Sequence, residues 1–120
     1  MSQHAGLSVE RWAGFDTDRQ ILMIGNEMNR IRRLPNQDPE ALRRGYERVL
    51  RLTDLTLDDT DRRGLRRELA RWRDLIAALY LQDEPDPQRH VDAFRALLLL
   101  RPVAARQIPL LLEEGMRSGA

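Results

Sequence analysis

The chain has 120 residues, 42% of them hydrophobic and 32% charged, and a formal net charge of +1. This composition fits one globular domain able to bury a core without staples and excludes a disordered chain, and the near-neutral charge gives no whole-molecule field that would announce a nucleic-acid binder. Cysteine is absent, which excludes disulfides, thiolate metal sites and cysteine nucleophiles.

The 20 basic residues are all Arg. Base composition of the genome is the first explanation. Selection for guanidinium forks, which grip carboxylate and phosphate better than ammonium does, is the second.

The opening MSQHAGLSVERW lacks an apolar stretch of signal-peptide length. Strictly apolar runs such as residues 96–100 fall far short of the roughly 20 residues that span a bilayer. The expected location is the cytoplasm. Residues 1–15 read as a loosely ordered tail, with Trp12 and Phe15 positioned to fold back on the first helix, and 118–120 as a second tail.

The first predicted helix runs over 17–34. Thr17 serves as N-cap with Gln20 as its capping-box partner. Ile21, Ile24, Met28 and Ile31 make one apolar stripe at steps of 3, 4 and 3, and Pro35 ends the helix. Asp38-Pro39 opens the second helix, because Asp caps and Pro suits the first helical position. Leu42, Tyr46, Val49 and Thr53 share its face. Asp58, Asp59 and Asp61 then favour the start of a third helix through its dipole. In that helix Leu65, Leu69, Trp72, Ile76 and Leu79 step by 4, 3, 4 and 3. Asp86-Pro87 repeats the cap chemistry before a fourth helix carrying Val91, Phe94, Leu97 and Leu98, interrupted at Arg101-Pro102. A short last helix is expected near 109–117. No strand-like alternation and no repeat occur. The predicted fold is all-α, a single domain over 1–120 built as an antiparallel four-helix bundle with a short extra C-terminal helix.

Gly25 lies inside the first helix, where glycine costs about 1 kcal/mol against alanine. With Leu22 and Asn29 it forms a notch on the flank of the stripe, expected to receive a neighbouring helix or a second subunit. Glu27 sits beside the notch, and an Arg on a neighbouring helix is its expected partner.

The residues offer little for catalysis. Ser2, Ser8 and Ser118 fall in the tails. His4 lies in the tail as well, and His90, near Asp86 and Asp92, reads as a solvated helix-start residue. The two histidines lack metal-ligand spacing. The Asp58-Asp59 and Glu113-Glu114 pairs are explained by helix ends. An HEPN-type ribonuclease motif needs Arg four to six residues before His, and none of residues 83–86 is Arg. Neither a catalytic residue, a cofactor nor a metal is assigned, and the expectation is a non-enzymatic protein.

Charge alternates in blocks. Residues 30–51 carry seven Arg against three acids (+4), 52–61 carry four Asp (−4), and 62–73 carry six Arg against Glu68 (+5). Arg62, Arg66 and Arg73 share one flank of the third helix and form a candidate anion-binding set. A solvated face balanced by the acidic segment is the plainer reading. No aromatic residues interleave these arginines for base stacking.

Leu97 to Leu100 are consecutive, and so are Leu110 to Leu112. At 100° per residue four leucines point almost all round a helix, so one core-facing side is insufficient to bury them. Leu97, Leu99, Leu100, Leu110 and Leu111 are therefore a candidate self-association face.

Gln20, Ile24, Gly25 and Glu27, followed by Glu47, Arg48, Leu50, Leu52, Asp54, Leu55 and Thr56, resemble a family of small uncharacterised bacterial and archaeal helical-bundle proteins. Its members carry a Q-x-x-x-I-G-S-E helix and an E-R-A-L-E-L-x-D-L-T helix. The likeness covers residues 12–80, with Asn26 where the family has Ser. It implies a helical fold and assigns no activity. The functional expectation is an interaction or structural module whose partner is a second copy of the chain, or another protein. An Arg-rich nucleic-acid binder is the alternative.

Overall fold

The computed structural model describes residues 8–34 and 38–113. Among these the regular structure is entirely helical: α1 (Val9–Ala13), α2 (Thr17–Arg32), α3 (Pro39–Asp59), α4 (Arg63–Tyr80), α5 (Pro87–Leu98), α6 (Pro102–Ala105) and a π-helical turn (Pro109–Glu113). The expected tails at 1–7 and 118–120, and the last helix beyond Glu113, lie outside the described residues.

Local chemistry fixes most of the starts. Asp38 and Asp86 accept the backbone N–H groups of Ala41 and Gln88, each with Pro following at the first helical position. The cap of α2 is a correction. Asp16, not Thr17, accepts a backbone N–H, that of Arg19, at 2.8 Å. Gln20 forms no capping box. It is buried, and its Nε2 donates to the Trp12 carbonyl and to Asp59, both at 2.9 Å. The acidic segment is also corrected. Asp58 and Asp59 close α3, and α4 begins after Arg62 with no side-chain cap and no acid in its first turn.

The N-terminal segment is not a loose tail throughout. Residues 9–13 form α1 behind a Ser8 cap, and Trp12 is fully buried. Its Nε1 donates to Thr56 Oγ1 on α3 at 3.0 Å, and its ring meets Phe15 edge-on at 6.0 Å. A five-residue helix is too short to stand alone; the buried indole holds it.

The apolar stripes assemble as their spacing predicts. Ile21, Ile24, Met28 and Ile31 of α2 meet Tyr46, Val49 and Leu52 of α3, Leu69, Trp72, Ile76 and Leu79 of α4, and Phe94, Leu97 and Leu98 of α5 in one core. α2 packs on α3 and α5, α3 on α4, and α4 on α5, which closes a ring of four. α1 lies on α3, and α6 covers the junction of α2 and α5. Trp72 Nε1 donates to the Ala93 carbonyl at 2.7 Å, joining α4 to α5 inside the core. Three threonines on the buried side of α3 and its end, Thr53, Thr56 and Thr60, donate to carbonyls four residues back, so their hydroxyls enter the interior satisfied. No helix among the described residues is long and apolar enough to cross a membrane.

Candidate functional site at the junction of α2, α3 and α5

The end of α2 and the starts of α3 and α5 leave a cavity of about 610 Å³ between them. Its walls are mostly apolar, with Ile31 and Leu34 from the α2 side, Leu42 from α3, and Pro85 and Val91 around the start of α5. The polar groups on it are Tyr46, His90 and Arg32, with exposed Asp83 and Glu84 near the loop before α5.

His90 corrects the sequence reading most plainly. It is buried rather than solvated. Its Nε2 lies 2.8 Å from the Met28 carbonyl, which only accepts, so Nε2 carries the proton and donates. Nδ1 is then bare, and the Tyr46 hydroxyl donates to it at 2.7 Å. The ring ties α2, α3 and α5 together. Burial lowers the His90 pKa below its ordinary 6.5, opposed by the bond to Met28 and aided by the nearby Arg32 charge. Burial also pushes the Tyr46 hydroxyl up to about 12. The pair is neutral at pH 7, hydrogen-bonded on both ring nitrogens, and holds no carboxylate that would make it a relay.

This pair makes acid a structural threat. The unfolded chain binds a proton at His90 near pH 6.5, whereas the folded chain binds it only at lower pH. Stability is therefore complete above pH 6.5 and declines as pH falls toward the lowered folded value, by up to about 1.4 kcal/mol per pH unit. Urea titrations at pH 7.5 and 5.5 are expected to show a larger loss for the wild type than for His90→Gln. Equal losses would contradict the bonding described.

Arg32 is half-buried and lines the same cavity. Its Nη2 donates to Asn29 Oδ1 at 3.1 Å and to the Leu111 carbonyl at 3.2 Å, and its Nε is buried with no acceptor. No carboxylate pairs with it among the described residues.

The residues singled out in the sequence are divided by the structure. The Gly25 notch is filled from within the chain: a Cβ built there would touch Leu98 Cδ2 and Phe94 Cε1, both at 3.4 Å. Leu22 is half-buried against the core, and Asn29 accepts the Arg32 bond. Glu27 pairs with Arg48 of α3 at 3.1 Å. The tighter helix contact is at Gly45, which the sequence reading passed over. A Cβ there would lie 2.6 Å from Ile31 Cγ1.

Of the leucine set, Leu97 is a correction: it is fully buried in the chain's own core and offers nothing to a partner. α5 lies between α2 and α4, so consecutive leucines 100° apart both find an interior. Leu99 and Leu110 remain 61% and 60% exposed, and Leu100 and Leu111 are half-buried. Of the arginine set, Arg73 is taken up by a two-pronged bond to Asp54, which raises its pKa further. Arg62 and Arg66 are exposed, as are their neighbours Arg63, Arg67 and Arg71. The three candidate arginines therefore do not form one available set.

Among the described residues no group of three or more His, Asp or Glu is placed to hold a metal ion. Compared with models of protein families, with curated proteins and with solved structures, the chain matches none.

Proposed function

We propose that this protein is a non-enzymatic interaction module, an antiparallel four-helix bundle that pairs with a second copy of itself through the segment from Leu99 to Leu111. The observation that carries the reading is the clustering of exposed apolar side chains there. Leu99, Val103 and Leu110 are each at least 40% exposed within twelve residues of sequence, with half-buried Leu100 and Leu111 beside them. Single exposed leucines are ordinary on any surface. Several on one short segment are a reason to expect a partner. A two-fold pairing buries both copies at once.

The paired variant Leu99→Glu, Leu110→Glu tests this. Both side chains point largely to water in the single chain, so the variant is expected to keep the helical circular dichroism and lose self-association. A variant that stays associated would overturn the proposed face.

The second reading, nucleic-acid binding, has one observation in its favour. Arg62 just before α4, and Arg63, Arg66, Arg67 and Arg71 on it, are all exposed, and no ion pair to any of them is formed among the described residues. Exposed Asp61, Glu68 and Asp74 interrupt the same surface, which ranks it second. A salt-sensitive complex with RNA or DNA in a binding titration would move it ahead.

A further inference from the structure

We propose that the cavity between α2, α3 and α5 binds a small apolar monocarboxylate, with its carboxylate on the Arg32 guanidinium and its hydrocarbon part against Ile31, Leu42 and Val91. At about 610 Å³ the space falls within the 300–1,000 Å³ of ordinary small-molecule sites, which are apolar with a few placed polar groups.

The sign of the ligand's charge follows from Arg32. A cation withdrawn from water is normally given a counter-charge, and three other arginines of this chain follow the rule. The half-buried Arg48, Arg73 and Arg101 each hold a carboxylate, of Glu27, Asp54 and Asp18 respectively. Arg32 holds only two neutral oxygens and has a buried Nε with no acceptor. It is the half-buried arginine that lines the cavity, and a carboxylate meeting its guanidinium from the cavity would supply the missing counter-charge.

The other polar groups limit what else the site accepts. Tyr46 and His90 are bonded to each other and to Met28, so they add no charge to the wall. Asp83 and Glu84, exposed at the edge, repel a ligand with further negative charge. One carboxylate with an apolar body satisfies Arg32, the walls and the edge together. The inference does not rest on self-association, since a single chain supplies every group it uses.

Calorimetric titration with octanoate, octanol and octylamine, which share one tail, tests the charge assignment. Octanoate is expected to bind saturably, and the alcohol and the amine at least roughly tenfold more weakly, the scale of a charge-assisted bond. Arg32→Met is expected to weaken octanoate by the same factor and leave octanol unchanged. Methyl NMR of the wild type needs no variant to fold: Leu42 and Val91 resonances are expected to shift with octanoate. No octanoate binding, shifts elsewhere only, or an amine or alcohol bound as tightly as the acid would overturn the proposal.

Discussion

Trp12→Ala is expected to lose about 3–5 kcal/mol of stability, the cost of emptying a buried large aromatic site. That is a large share of the roughly 5–15 kcal/mol that holds a domain of this size. The indole is fully buried, and it is the connection between α1 and α3. Removing it exposes the Phe15 edge contact and frees α1, which has too few residues to persist alone. The Trp12 carbonyl then drifts from Gln20, a buried amide whose Oε1 already lacks a partner. Trp12→Phe keeps most of the volume and loses the bond from Nε1 to Thr56, so about 1–2 kcal/mol is expected. Thr56 retains its bond to the Leu52 carbonyl. Urea unfolding followed by circular dichroism measures both, on the two-state assumption suited to this length. A Trp12→Ala midpoint equal to wild type would mean that α1 is not part of the core.

The two buried helical glycines should differ in how large a side chain they tolerate. Gly45→Leu is expected to cost about 3 kcal/mol, at the upper end for forcing atoms into a packed interior. The colliding atom is Ile31 Cγ1, near the backbone of a buried, β-branched side chain, and it has little room to turn away. Gly25→Ala meets Leu98 and Phe94 at ordinary contact distance, so the helix propensity of alanine should show as a gain of about 0.5–1 kcal/mol. Gly25→Leu overfills the same place and is expected to cost about 1–3 kcal/mol. Thermal melts of the three variants decide the matter. Gly45→Leu melting at or above wild type would refute the close approach of α3 to Ile31.

The residues legible in the sequence were those governed by their neighbours. Steps of 3 and 4 along α2 and α4 are a property of one helix, and Asp38-Pro39 and Asp86-Pro87 act within a turn. The residues misread depend on distant partners. His90 beside Asp86 and Asp92 looked solvated, yet its partners are Tyr46, 44 residues away, and Met28, 62 residues away. The available signal was its step of 4 to Phe94, which continues to Leu97 and Leu98 on the buried face. Gly25 interrupts a conspicuous stripe and Gly45 does not announce itself; which glycine faces a bulky side chain is a tertiary fact. Asp16 and Thr17 are both good caps, and a nearby Gln20 favoured the wrong one. α1 has too few residues for any periodicity. The cavity arises where three helix ends fail to meet, and no single segment records that.

The measurement that bears most directly on the proposed function is the molar mass of the purified wild type by light scattering across micromolar concentrations. The chain alone is 14.0 kDa. The mass is expected to rise with concentration toward twice that value, and to stay at the single-chain value when Leu99 and Leu110 are both changed to Glu. A wild-type mass of one chain at every concentration would contradict it.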